Sequence, residues 1–193
     1  MSPEMIERKK LYGKKGKTRR AILHAAKVLL EESSWEHMTI ATIAKAADVS
    51  RTTIFNHFGT VQGLLTALCA EEVDEVVRYC REQERETGPD VVHVFDILLQ
   101  DAAIYPSLFL RLIGMAVLTQ GEQNPVVRIE EMVKERMGGD EEAVLMLTGA
   151  FYALLNHNYA RSIPYDVKEM QEQMRRVIAG VKADRMRAAA ENE

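Results

Sequence analysis

Residues 39–58 read Thr39-Ile40-Ala41-Thr42-Ile43-Ala44-Lys45-Ala46-Ala47-Asp48-Val49-Ser50-Arg51-Thr52-Thr53-Ile54-Phe55-Asn56-His57-Phe58. Behind Thr39, whose hydroxyl can cap a helix start, Ile40, Ile43, Ala44 and Ala47 recur at helical spacing. Asp48-Val49-Ser50 reads as a tight turn, and Asp48 suits a positive φ there better than most residues do. Ser50 can cap a second short helix that turns Ile54 and Phe58 inward as an i, i+4 pair, with Val49 also inward. Two short helices joined by a three-residue turn form a helix-turn-helix. Ala44 is informative, because the helices cross close to it and a larger side chain would hold them apart. The second helix exposes Arg51, Thr52, Thr53, Asn56 and His57. Short polar side chains with one Arg on a narrow helix can enter a major groove and reach base edges.

Upstream, the apolar positions Ile22, Leu23, Ala25, Ala26, Leu29 and Leu30 predict a helix over 18–32. Residues 1–15 read as a mobile basic arm. The first 20 residues hold eight Lys/Arg and two Asp/Glu. Residues 1–70 hold 11 basic and 6 acidic side chains, a balance of +5, against 14 and 23, or −9, in residues 71–193. One end of the chain is therefore suited to a polyanion and the rest is not.

Downstream, a long helix is expected over 61–86, ended by Thr87-Gly88-Pro89. Further helices are expected over 90–104, 106–119, 125–137, 141–161 and 165–190. Their breaks fall at Pro106, between Gly121 and Pro125, at Gly138-Gly139 and at Pro164. Nothing in the sequence alternates as a strand does, and Gly and Pro are few, with 11 and 5 in 193 residues. The fold class is all-α, with an arm at 1–15, a three-helix unit with the helix-turn-helix at 16–60, and a second helical domain at 61–193. The longest apolar run, 143–155, is broken by Thr148 and Gly149 and falls short of the roughly 20 residues that span a bilayer. On one helix, Cys69 and Cys80 would stand about 16 Å apart, too far for a disulfide, which suits reduced thiols in a cytoplasmic protein. The chain has no phosphate-cradling Gly loop, no H-E-x-x-H, no C-x-x-C and no nucleophile-elbow spacing. Neither catalysis nor a cofactor or metal is expected.

The segment from Thr39 to Thr60 resembles the DNA-binding signature of the TetR (tetracycline-repressor) family. So does the preceding helix Thr18-Arg19-Arg20-Ala21-Ile22-Leu23-His24-Ala25-Ala26, followed by Trp35 and then Thr39. The resemblance covers residues 18–68, and its most specific part is Val49-Ser50 with aromatic-x-His-Phe at 55–58. It implies that Arg51, Thr52, Thr53 and Asn56 face bases, that His57 meets the DNA backbone, and that Thr39 and Ser50 belong to the same DNA-facing set. Three positions depart from the family pattern. Phe55 stands where a Tyr hydroxyl usually bonds a phosphate, Val61 where a Lys usually does, and Asp48 where Gly is usual. These departures remove or oppose backbone contacts. The expectation is that the basic arm, with Lys14 and Lys15 and the adjoining Lys17, supplies the missing anchoring by way of an adjacent minor groove.

For the rest of the chain the resemblance implies dimerisation and ligand sensing. The helix over 141–161 is apolar nearly all round, with Val144, Leu145, Leu147, Phe151, Leu154 and Leu155, and its Gly149 and Ala153 let another helix approach. The last helix carries a stripe of Val167, Met170, Met174, Val177, Ile178 and Val181. Phe151, Leu155, Met170, Met174, Val177 and Val181 are therefore candidates for a self-packed four-helix bundle. The alternative is that both stripes face a core within one chain. Polar or adaptable residues inside apolar stretches are candidates for a ligand pocket: His93, Tyr105, Arg111, Met115, Tyr152, Asn156 and Tyr159. Arg111 lies among apolar residues and needs Asp96, Asp101 or an anionic ligand. The reading is a homodimeric, sequence-specific DNA-binding transcriptional regulator. Its partners would be a palindromic double-stranded operator, a second copy of itself and a small-molecule effector that releases it from DNA. The alternatives are a redox sensor using Cys69 or Cys80, and a DNA binder that needs no ligand.

Overall fold

The computed structural model describes residues 13–32, 38–121, 124 and 126–191. Within these residues the chain is helical with no strand, in the order α1 (Lys14–Glu32), α2 (Ile40–Ala46), α3 (Arg51–Phe58), α4 (Val61–Thr87), α5 (Val91–Ile104), α6 (Pro106–Val117), α7 (Val127–Arg136), α8 (Glu141–Ala160) and α9 (Val167–Glu191). The sequence expectation and the structure differ chiefly at the start. The first helix begins at Lys14, so Lys14, Lys15 and Lys17 stand on α1 rather than in an arm. Gly16 does not interrupt it, and Lys17 N–H already donates to Gly13 O at 3.0 Å. Residues 1–12 and Trp35 lie outside the described residues.

The chain divides into two compact units between Ala70 and Glu71, ten residues beyond the boundary expected from sequence. The core of the first unit follows from one repeat on each helix. Ile22, Ala26 and Leu30 line one face of α1, and they are buried with Leu23, Ile43, Ala44, Ile54, Leu64, Leu65 and Leu68. α2 packs on both α1 and α3. Thr39 caps α2 as expected, accepting from Thr42 N–H at 3.1 Å, while Thr39 N–H donates to Thr42 Oγ1 at 3.0 Å. This is a capping box whose return partner is a hydroxyl in place of the usual Glu or Gln. Beyond α2, Asp48 takes the expected positive φ, 51°. Val49 N–H then reaches back to Ala44 O at 3.0 Å, closing the turn between the two helices.

In the second unit, α9 packs on α5 and α8, α8 also on α6 and α7, and α5 also on α6 and α7. The core runs from Val73, Val76 and Val77 of α4 through Phe95, Leu99, Leu147 and Phe151, with the rings of Phe95 and Phe151 5.9 Å apart. Asp90 caps α5, Pro106 opens α6 and Asp140 caps α8. Two ion pairs, Asp74–Arg128 and Glu84–Arg136, join α4 to α7.

This packing corrects part of the dimerisation set. Phe151, Leu155, Met170 and Met174 are buried in the chain's own core, and Val181 packs against it. The physical reason is that α8 and α9 turn these stripes toward α5 and toward each other. Val177 alone of the six faces outward.

Candidate nucleic-acid interface

α3 is held by its first turn and by one anchor. Ser50 Oγ accepts from Thr53 N–H at 3.0 Å and lies 2.8 Å from Thr53 Oγ1. Ile54, at 0% exposure, fixes the inner face. Arg51, Thr52, Phe55 and Asn56 are exposed. At about 100° per residue they fall in the order Arg51, Phe55, Thr52, Asn56 across an arc of roughly 140°. Thr53 is half-buried, with its hydroxyl engaged at the cap, so it sits at the edge of this arc.

Positive charge lies alongside the far end of α3. The Arg19 guanidinium of α1 stands 4.7 Å from the centre of the Phe58 ring, a cation–π contact. Phe58 lies 5.8 Å from the His57 ring. Partial burial, together with the cations Lys15 and Arg19, holds the His57 pKa below its ordinary value. At neutral pH, His57 is therefore an uncharged hydrogen-bonding group, and the cations beside it belong to α1. Lys15 and Lys17 are exposed, while the Lys14 side chain lies outside the described residues. No acidic residue occupies the first turn of α1, α2, α3 or α4, which leaves those positive helix ends uncompensated. Thr39 is exposed, but its hydroxyl serves the α2 cap. At the start of α4, Thr60 Oγ1 accepts from Gly63 N–H at 2.9 Å, and Val61 brings no cation there. Arg19 was not among the residues expected from sequence. Its i, i+4 spacing from Lys15 was the available signal, but only the packing of α1 shows that both reach α3.

The ligand candidates are dispersed. His93, Tyr105, Arg111, Met115 and Tyr152 are half-buried in the second unit. The Tyr152 ring lies 5.8 Å from Phe151, and His93 Nδ1 is buried without a hydrogen-bond partner. Asn156 and Tyr159 are exposed on α8, which removes them from an interior pocket. Asp96, one expected partner of Arg111, pairs instead with Arg175 of α9 at 2.5 Å. A shallow depression is lined by Arg136, Met137, Lys182, Arg185 and Met186, none of them among the expected ligand residues. Its three cations are already paired with Glu84, Asp90 and Asp140.

Both cysteines are reduced and buried. Burial pushes the Cys80 thiol up to about 11, against the pull of Arg136. The thiolate is the reactive form, so alkylation of the native protein at neutral pH is expected to be slow at both sites and complete only in denaturant. Labelling of either thiol within minutes in the native state would restore the redox alternative.

Residues 22–68 match the model for bacterial regulatory proteins of the tetR family. The uncharacterised HTH-type transcriptional regulator YvkB of Bacillus subtilis (strain 168) is 32% identical over 84 residues, which is 44% of this chain and 44% of that protein. The match thus spans less than half the length of that relative. Among solved structures, the fatty acid degradation regulator FadR from Bacillus halodurans superposes with a TM-score of 0.61 at 23% identity, over 83% of this chain and 97% of that one. The Thermus thermophilus FadR, a TetR-family transcriptional repressor in complex with lauroyl-CoA, gives 0.58 at 20%, over 83% and 93%. At these identities the two structures speak for the fold. The helix-turn-helix at 39–58 lies inside the match to the tetR family of bacterial regulatory proteins, so residues 22–68 carry a DNA-binding domain similar to that family's, and the all-helical fold of the chain is like that of the two solved regulators.

Proposed function

We propose that this protein is a homodimeric, sequence-specific DNA-binding transcriptional repressor, acting in the cytoplasm and released from its operator by a small molecule bound in residues 71–193. One observation carries the DNA reading. The capped and anchored α3 turns Arg51, Thr52, Phe55 and Asn56 outward together, beside the Lys15 and Arg19 cations of α1. The second helix of a helix-turn-helix enters the major groove, and cations beside it suit the flanking phosphates.

The dimer is supported by what α8 and α9 leave outside. Leu145 is 71% exposed, Met146 46% and Val177 38%. Gly149 and Gly180 on the same two helices have open space where a Cβ would stand. These positions offer a second copy apolar side chains together with room for close approach. Two-fold symmetry would then match half-sites about 34–36 Å apart. For the effector, the half-buried candidates His93, Tyr105, Arg111, Met115 and Tyr152 are spread over α5, α6 and α8 and mix polar with apolar side chains, and an amphiphilic anion is the class proposed. The lauroyl-CoA held by the Thermus thermophilus FadR is a molecule of that class.

The test is selection of binding sites from a random DNA library with the purified full chain. An enriched palindrome with half-site centres one helical turn apart supports the reading. Unenriched binding that vanishes with salt overturns it.

The α1 cations give a second expectation. Exchanging both Lys15 and Lys17 for Ala is expected to lower the slope of log affinity against log salt by about 0.9 for each phosphate left without its cation. Titrations at several salt concentrations read this directly. An unchanged slope would place the anchoring of the duplex elsewhere.

A further inference from the structure

We infer that Phe55 reads the 5-methyl group of a thymine in each operator half-site, an inference that rests on the DNA-binding reading above. Three aromatic or imidazole side chains close α3, and the structure treats them differently. Phe58 is half-buried with Arg19 over its face, and His57 is half-buried against Phe58. Phe55 is 64% exposed and makes no ring or cation contact with the other described residues. It stands on the outward arc one turn after Arg51 and Thr52 and next to Asn56. It has no hydroxyl with which to bond a phosphate, and a phenyl ring gains nothing from an anionic oxygen. Its three exposed neighbours are polar and match the donors and acceptors of base edges. The major groove displays one apolar group, the thymine methyl, and Phe is a side chain suited to contact it. The departure from Tyr at this position thus changes what the residue can recognise, from backbone to base.

The experiment starts from the palindrome enriched by selection. Each thymine is replaced in turn by deoxyuridine, which keeps the base pair and removes only the methyl. Affinities are measured at fixed salt for the unaltered protein, for Phe55→Ala and for Phe55→Leu. At one thymine per half-site, uridine is expected to weaken binding by the unaltered protein about four-fold, and roughly fifteen-fold when both half-sites are changed. Phe55→Ala should bind the thymine and uridine sites alike, and Phe55→Leu should retain a preference for thymine. The side chain is exposed, so thermal melting should show both variants folded.

Tolerance of uridine at every position by a protein that still prefers its site overturns the inference and leaves the DNA reading standing. So does a uridine penalty that persists undiminished in Phe55→Ala, which assigns the methyl to another residue such as Thr52. A half-site without thymine overturns it as well. Failure to enrich any sequence removes the DNA reading and this inference together.

Discussion

Arg51→Ala is expected to collapse the preference of the protein for its operator while leaving its affinity for random DNA nearly intact. Arg51 is the first residue of α3, is exposed, and has no carboxylate partner among the described residues. The N-terminal residues of a recognition helix contact the base edges. A guanidinium there can donate twice to guanine, and such a pair discriminates by about 1–3 kcal/mol. The proposed two-fold dimer would use the residue twice, so the expected loss is about 2–6 kcal/mol, from roughly 30-fold to above 10,000-fold. Folding should change by about 0.5 kcal/mol or less, because the side chain is exposed. Arg51→Lys is the sharper control. It keeps the charge but loses the planar fork, so it should preserve the salt slope and still lose specificity. Competition binding against random duplex at one salt concentration measures both affinities, and titrations across salt give the slope. An equal loss on operator and random DNA would make Arg51 a phosphate anchor and leave base reading to Thr52, Phe55 and Asn56.

The outward arc of α3 was legible because everything that fixes it is local. Thr39 and Ser50 announce their caps, Asp48 accepts the left-handed turn, and the period of Ile54 tells which side faces in. Thr53 was less legible, since a side chain three residues after a cap can serve the cap itself, as it does at 2.8 Å from Ser50. The lysines were misplaced for another reason. Gly13 and Gly16 suggest that the helix starts later, because Gly in a helix interior costs about 1 kcal/mol relative to Ala. Tertiary packing of Ile22, Ala26 and Leu30 overrides so small a penalty, and α1 runs from Lys14. That Arg19 lies over Phe58 depends on residues 39 positions apart in the chain, which no local pattern reports.

In the second unit the helices were legible from their breaks. Pro106, Gly138-Gly139 and Pro164 mark breaks that the structure keeps within a few residues. The partner of each apolar stripe was not. A stripe that faces a second chain and one that faces the same chain have the same period and the same composition. Phe151, Leu155, Met170 and Met174 could serve either, and only the seating of α9 on both α5 and α8 assigns them to the chain's own core. Pocket residues fail for a related reason. Asn156 and Tyr159 sit in an apolar helix, but a helix interrupted by polar residues does not say which of them faces in.

Glu84→Gln is expected to destabilise the second unit by about 3 kcal/mol, the lower end of the cost of stripping a buried charge of its close counterion, because only the exposed Glu135 carboxylate at 3.9 Å then remains beside Arg136. The Arg136 side chain is only 4% exposed and the Glu84 side chain 21%. One Arg136 nitrogen bonds the Glu84 carboxylate, Nη1 donates to Met132 O at 2.6 Å, and Nε is buried without a partner. Burial and the nearby Arg81 lower the Arg136 pKa, while Cys80 opposes that shift. The guanidinium is therefore already incompletely satisfied before Glu84 is touched. Gln keeps the volume and one acceptor, so the loss reports charge rather than packing. Partial exposure of Glu84 and the remaining Glu135 carboxylate both hold the expected value at that lower end. Adding Arg136→Met removes the stranded charge and should recover most of the loss, because apolar replacement of a buried pair is often neutral or stabilising. Urea unfolding of the two single variants and the double variant gives the coupling directly. A Glu84→Gln protein within about 1 kcal/mol of the parent would mean that solvent reaches Arg136 and that the pair does not lock α4 to α7.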